Sequence, residues 1–217
     1  MTANTDVVVV GGGYAGVLAA SRLTQRDDVT VTLINPRPTF VERIRLHQLV
    51  GGSDDALVDY REVLAPAVRL VVGSVDRIDA PGRSVTLESG EDMTYDYLVY
   101  AVGSGSTPVP GSAEHAHPIA TLESARRLAA ALEQAPDAGV TVVGAGPAGL
   151  ETAAELAETG RRVTLVCGGV LGPYLHPRAR RSLGRRLARL GVTVVDGPGT
   201  TVTAAVAGAA SRAAARR

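Results

Sequence analysis

The sequence predicts an α/β fold made of two repeated strand–turn–helix–strand units, the first carrying a small β-meander. Three observations predict it. A β-branched run, Val7-Val8-Val9-Val10, breaks into Gly11-Gly12-Gly13-Tyr14-Ala15-Gly16 and continues as an Ala- and Leu-rich helical pattern. The same spelling returns 133 positions later as Val140-Thr141-Val142-Val143 and Gly144-Ala145-Gly146-Pro147-Ala148-Gly149, and residues 7–23 and 140–156 agree at nine of 17 positions. Each copy is followed by a second strand of one design, Val31-Thr32-Leu33-Ile34 and Val163-Thr164-Leu165-Val166. One G-x-G-x-x-G says little, but two complete units point to two Rossmann-like dinucleotide-binding units.

The residue types have physical reasons. The first glycine of each motif (Gly11, Gly144) lets the chain turn sharply from strand to helix. The second (Gly13, Gly146) removes the Cβ that would block a pyrophosphate, and the third (Gly16, Gly149) lets helix and strand pack closely. The helix N-terminus, at Tyr14-Ala15 and, beyond Pro147 with its missing N–H, at Ala148, offers amide groups and the positive end of its dipole to phosphate. The alternative for each copy is an ordinary strand–helix turn that binds nothing.

Composition narrows the class. The 217 residues allow one large or two small domains, and 45% hydrophobic content supplies a core of Val, Leu and Ala, since only 3% are aromatic. All 22 basic residues are arginine and formal charge is zero, but unevenly placed. Residues 1–160 carry 11 Arg against 21 acids, a net of −10, and residues 161–217 carry 11 Arg against Asp196, a net of +10. Such asymmetry fits an anionic partner or membrane surface, or two parts of a fold with different neighbours. Cys167 stands alone, so an internal disulfide is excluded. Without a signal peptide or an apolar run of about 18 residues, a soluble cytoplasmic protein is expected.

In chain order, Asp6–Val10 reads as a buried strand, Ala15–Gln25 as its crossover helix and Val29–Ile34 as the second strand. The end of that strand normally carries an acid for the ribose hydroxyls. Here it is Asn35, a hydrogen-bonding group without charge. After the stiff Pro36-Arg37-Pro38, residues Phe40–Leu49 show apolar side chains at helical spacing. Arg43, Arg45 and His47 lie between them, as a solvated face or as cations within reach of a pyrophosphate. Leu57–Leu64 reads as a short helix. Strands are expected at Arg69–Val72, Val75–Ile78, Ser84–Leu87 and Tyr97–Ala101, with turns at Pro81-Gly82 and Ser89-Gly90, as one meander.

A crossover from Pro108 to Pro118 marks a boundary, dividing residues 1–110 from 111–199. His115-x-His117 lacks further ligands at metal spacing and reads as linker. Thr121 is an N-cap for a helix over Leu122–Ala135. The second unit spans strand Val140–Val143, helix Pro147–Thr159 and strand Arg162–Val166, which places its ribose position at or beside Cys167. Glu151, just inside the helix, is either functional or a carboxylate that complements the helix N-terminus. Pro177–Leu190 is amphipathic, with Ala179, Leu183, Leu187 and Leu190 on one face. Its six arginines form a solvated face or meet an anionic partner or lipid headgroups. Strand Val192–Val195 follows, and residues 200–217 carry no hydrophobic period and read as an irregular or disordered tail.

The two glycine turns, this order of elements and Tyr95-Asp96-Tyr97-Leu98-Val99-Tyr100-Ala101-Val102-Gly103-Ser104 resemble the FAD-dependent pyridine-nucleotide oxidoreductases. That superfamily includes type II NADH dehydrogenases, ferredoxin reductases, apoptosis-inducing-factor-like proteins and disulfide reductases. The resemblance implies FAD on the first unit and NAD(P)H on the second. It places Gly11, Gly13, Gly16 and Asn35 on FAD, Val75 near adenine and Ala101, Val102 and Gly103 beside the cofactor. The family's usual Ala-Thr-Gly is Ala-Val-Gly here. It also brings Glu151 close to the nicotinamide. Family members continue beyond this point with a Gly-Asp motif and a final domain over the flavin, so the sequence reads as a partial enzyme.

The implied activity is hydride transfer from NAD(P)H to FAD and onward to a quinone, another protein or a small oxidant. The paired cysteines of disulfide reductases are absent from the sequence. A nucleotide-binding module without turnover and a flavin monooxygenase are the rival readings. No nucleic-acid partner is expected, and nucleotide preference, acceptor and oligomeric state stay open.

Overall fold

Val7 to Val10 form an unbroken apolar run because the strand that holds them is covered on both faces. The structure, a computed structural model, describes residues 4–105 and 111–197. β1 (Thr5–Val10) leads into α1 (Tyr14–Leu23) and back through β2 (Val29–Asn35), which lies parallel to β1 with Val7 opposite Val31 and Val10 opposite Ile34. α1 stops short of Gln25 because Thr24 closes it, its hydroxyl donating to the Ser21 carbonyl at 2.9 Å.

The stretch after Pro38 corrects two expected helices. Residues 40–49 are not one helix: β3 (Thr39–Val41) is followed by a 3-10 turn at Arg43–Arg45 and by α2 (Leu46–Gly51). Residues 57–64 likewise divide into β4 (Leu57–Asp59) and α3 (Tyr60–Val63). Tertiary contacts outweigh the local period here. Phe40 is buried edge-on between Tyr14, 5.0 Å away, and Tyr60, 6.3 Å away. That burial holds β3 extended against β4, antiparallel with Phe40 opposite Val58. Asp59 then caps α3, accepting from the Arg61 amide at 2.8 Å.

The meander also differs from expectation. β5 (Val68–Val72) and β9 (Tyr97–Tyr100) belong to the parallel sheet, in the order β5-β2-β1-β9. The antiparallel meander consists of β6 (Val75–Asp79), β7 (Ser84–Leu87) and β8 (Asp92–Thr94). β8 escapes the pattern because Asp92-Met93-Thr94 is short and mostly polar. Alternation of side chains sorts the core into two layers. Val7, Val9, Val31 and Leu33 meet Ala20, Phe40 and Tyr60 on one face, while Val8, Val10 and Ile34 meet Val85 and Leu87 of the meander, and Tyr95 just after it, on the other.

Beyond residue 110 the chain forms α4 (Ser112–His115), α5 (Leu122–Gln134), β10 (Val140–Val143), α6 (Pro147–Glu158), β11 (Val163–Cys167), α7 (Pro177–Arg189) and β12 (Thr193–Asp196). Thr121 does cap α5, in a capping box: its hydroxyl accepts from the Ser124 amide at 3.2 Å, and Ser124 Oγ accepts from the Thr121 amide at 3.1 Å. The parallel order β10-β11-β12 repeats β1-β2-β5 of the first sheet, with Val143 opposite Val166 as Val10 is opposite Ile34. α7 buries Leu187 and half-buries Leu183 and Leu190, but Ala179, expected on that face, is exposed. Pro108 to Pro110 and residues 200–217 lie outside the described residues.

The chain divides into two compact units, Met1–Glu42 with Leu57–Gly105 and Arg43–Ala56 with Ser106–Arg217. The excursion 43–56 therefore groups with the second unit, where α2 packs on α5 and α6. No helix among the described residues is long and apolar enough to cross a membrane. Leu33 and Leu165 hold equivalent places in β2 and β11 and are both fully buried. Leu33→Ala and Leu165→Ala are each expected to cost about 2–5 kcal/mol, read from the urea midpoint.

Candidate functional site

Each unit forms its glycine turn in the same way. Gly11 and Gly144 have φ of +103° and +110°, the left-handed region that only glycine enters without strain. Their amides donate to the penultimate residue of the neighbouring strand, Gly11 to the Ile34 carbonyl at 2.9 Å and Gly144 to the Val166 carbonyl at 3.0 Å. At Gly16 and Gly149 a side chain would be driven into the carbonyl oxygens of Gly11 and Gly144, so helix and turn touch backbone to backbone. Gly13 and Gly146 behave differently: they are the N-caps of α1 and α6, and a Cβ on either would meet nothing within 4 Å. Open space thus lies at the second glycine of both turns, beside a helix end whose first amides have no partner within the helix. A phosphate diester fits that arrangement in chemistry and charge.

The ends of the second strands correspond as well. The Asn35 carbonyl accepts from the Gly73 amide at 2.9 Å, and the Cys167 carbonyl from the Gly197 amide at 3.1 Å. Asn35 also ties its strand to the turn: Oδ1 accepts from the Gly12 amide at 3.0 Å, and Nδ2 donates to the Arg37 carbonyl at 2.9 Å. An uncharged amide can do both at once, which a carboxylate cannot. Cys167 is buried at the end of β11 and has no such bond to Ala145 among those described.

Around the first turn the structure gathers Gly11, Gly12, Gly13, Gly16 and Asn35, together with Ala101–Gly103. A side chain on Gly11 would strike the Ala101 carbonyl, and the Ala101 amide donates to the Val10 carbonyl at 2.8 Å. Val75 opens β6 and packs against the cluster of Val8, Val10 and Ile34. Tyr60 joins them without any warning in the sequence. Its hydroxyl donates to the Gly12 carbonyl at 2.7 Å, across 48 positions, and fills the space a side chain at Gly12 would need. Ionisation there would leave a phenolate in an apolar setting, and burial pushes its pKa up to about 12.

In the second unit Glu151 projects from α6 with its side chain 55% exposed. The equivalent residue of α1, Leu18, is also exposed, so this position faces outward in both repeats and is not demanded by packing. Glu151 Oε2 lies 3.7 Å from His47 Nδ1 on α2, and one turn later Glu155 accepts from Ser53 Oγ at 2.5 Å. The excursion 43–56 is thereby held to the helix that follows the second glycine turn. Arg43 belongs to this excursion and donates to the Ala120 carbonyl at 2.9 Å. Arg161 donates to the Leu132, Ala135 and Pro136 carbonyls and closes the end of α5, while Arg162 donates to the Asp137 carbonyl. Among the described residues no group of three or more His, Cys, Asp or Glu side chains is placed to hold a metal ion.

Tyr60→Phe is expected to cost about 1–3 kcal/mol, because the buried Gly12 carbonyl loses its donor. Since the folded phenol titrates above its ordinary value of 10, its contribution is complete below pH 10 and fades as pH climbs to about 12. Urea midpoints at successive pH values should show this alkaline decline in the parent and lack it in Tyr60→Phe.

Comparison with known proteins follows from this geometry. Residues 5–213 match the model of the pyridine nucleotide-disulphide oxidoreductase family. An NADH dehydrogenase-like protein of Mycobacterium tuberculosis is 36% identical over 170 residues, covering 70% of this chain and 42% of that protein. The alternative NAD(P)H-ubiquinone oxidoreductase C1 of Arabidopsis thaliana is 32% identical over 185 residues, covering 70% and 36%. Among solved structures, the sulfide:quinone oxidoreductase of Aquifex aeolicus superposes with a TM-score of 0.68 at 25% identity, covering 88% of this chain and 51% of that one. The chain therefore spans between about a third and a half of the length of these relatives. Two equivalent glycine turns within a family match that runs nearly end to end lead to one conclusion: the chain belongs to the pyridine nucleotide-disulphide oxidoreductase family.

Proposed function

We propose that this chain carries the two nucleotide-binding units of an FAD-dependent NAD(P)H oxidoreductase that passes electrons to a quinone or another acceptor. The observation that carries the reading is the empty space at Gly13 and Gly146, at two turns of one geometry. The first unit, through Gly11–Gly16, Asn35 and the strand end Ala101–Gly103, would hold the ADP portion of FAD. The second, through Gly144, Gly146, Pro147, Ala148, Gly149 and the end of β11 at Cys167, would hold NAD(P)H. Bound together, the two cofactors supply hydride transfer from nicotinamide to flavin.

The chain's own residues contribute binding and orientation. Backbone amides at the starts of α1 and α6 meet phosphate charge, with the helix dipoles adding to the attraction. Asn35 holds Gly12 in place and so keeps the first turn shaped for phosphate. Glu151, exposed and backed by His47, would lie on the nicotinamide side of the second nucleotide. The relatives' names, an NADH dehydrogenase-like protein and an NAD(P)H-ubiquinone oxidoreductase, support a dehydrogenase and a quinone acceptor. A second reading, nucleotide binding without turnover, is favoured by one fact: the chain matches only 42% and 36% of those two relatives.

The test begins with the purified chain incubated with FAD and desalted. A retained flavin absorption band that bleaches anaerobically with NADH or NADPH is expected, and failure to retain flavin would overturn the first assignment. Retained flavin with no bleaching, but a nucleotide-dependent rise in melting temperature, would select the binding module. Gly13→Ala and Gly146→Ala place a methyl in open space and are expected to stay within about 1 kcal/mol of the parent in stability. Each should nonetheless weaken its own nucleotide at least ~10-fold by titration. Gly16→Ala and Gly149→Ala, which collide with backbone, should instead lose about 1–3 kcal/mol or more in urea unfolding.

A further inference from the structure

The strongest feature that the nucleotide reading leaves unused is the outer face of α7. Arg178, Arg181, Arg185 and Arg189 recur at i, i+3, i+7 and i+11, which on a 3.6-residue helix confines them to about 80° of arc and about 16 Å of length. All four are exposed, and the stripe lies opposite the side that buries Leu187 and half-buries Leu183 and Leu190. Among the described residues none of these four guanidinium groups has a hydrogen-bond or ion-pair partner, whereas Arg180 and Arg186, off the stripe, do. Arg180 donates to the Leu175 carbonyl at 3.2 Å, and Arg186 pairs with Glu158 at 3.3 Å. A solvated helix face ordinarily interleaves both signs at i, i+4. Here no acid occurs between Glu158 and Asp196. The loop that enters the helix adds exposed apolar side chains: Val170 is 43% exposed, Tyr174 83% and Leu175 36%.

We propose that the α7 stripe, with Val170, Tyr174 and Leu175 at its start, is a docking surface for the anionic headgroups of a lipid bilayer. Four like charges in a line on one straight helix lie tangent to a flat anionic surface, and each arginine near such a surface adds attraction. The aromatic and aliphatic side chains suit the boundary between headgroup and acyl chain. A nucleic-acid backbone would match the arginines but leave Val170 and Leu175 without a partner. The surface is argued from charge, pairing and exposure on α7, independently of the nucleotide reading. Were the acceptor a lipid-soluble quinone, it would place the protein where that acceptor dissolves.

The test is co-sedimentation of the full chain with vesicles of phosphatidylcholine alone and with about one-quarter phosphatidylglycerol, at ~0.15 M salt. Pelleting with the anionic vesicles only, reversed at ~1 M salt, is expected. Arg181→Gln combined with Arg185→Gln should lower the partition coefficient about 30-fold, roughly fivefold per charge, with an unchanged melting temperature. Tyr174→Ser should weaken binding several-fold while leaving its salt dependence intact. Failure to pellet, equal pelleting with neutral vesicles, or undiminished binding by the double variant would overturn the proposal. So would tight binding of a DNA duplex by a chain that anionic vesicles do not sediment, which would assign the stripe to nucleic acid.

Discussion

How closely a helix can approach the end of a strand decides the architecture of both units. At Gly16 and Gly149 the third glycine of the motif sits against the carbonyl oxygen of the first, Gly11 or Gly144, with no room for a methyl. This backbone contact draws the start of the helix over the end of β1 or β10. It also leaves the second glycine, Gly13 or Gly146, facing open space. The open space is therefore a by-product of tight packing: the contact that builds the fold is the contact that clears the second glycine. Because positive φ at Gly11 and Gly144 is part of the same turn, the first and third glycines of each motif are not exchangeable without a backbone cost.

The two copies differ in what supports them. The first turn is backed by residues far away in the chain, with Tyr60 under the Gly12 carbonyl, the Asn35 amide on the Gly12 N–H and Ala101 against Gly11. Those three contacts depend on β9, β2 and the Phe40–Tyr60 contact being in place. The second turn has the buried Ala145 where the first has Gly12, and Cys167 rather than an asparagine ends its neighbouring strand. Its helix is instead fastened to the excursion 43–56 through His47 and Ser53. One local spelling thus works with two different sets of supports.

Charge follows the same division. Arginines near the sheet of the second unit are spent on backbone carbonyls: Arg161 and Arg162 hold the end of α5 and the turn after it. Those on the outer face of α7 are left over, because the helix is anchored by leucine and needs no ion pair to stay in place. An unneutralised stripe costs the isolated chain little in water, where such charges are well solvated and screened. It becomes consequential only against an opposing surface of like extent.

The sequence by itself determined the strand–turn–helix motifs, their duplication, the cap at Thr121 and the amphipathic α7, because each rests on contacts within about ten residues. Strand periodicity, glycine placement and capping act through the local backbone, and a single chain displays them directly. Only the tertiary structure decided that Phe40 and Val58 pair as strands, that β5 and β9 join the parallel sheet, and that Ala179 is left in solvent. The same holds for Tyr60 reaching Gly12 across 48 positions and for the excursion 43–56 grouping with the second unit. In each of these except Ala179, a buried ring, a ladder partner or an anchoring carboxylate comes from a distant part of the chain. Local propensity is worth tenths of a kcal/mol per residue, and a long-range contact of several times that value overrides it.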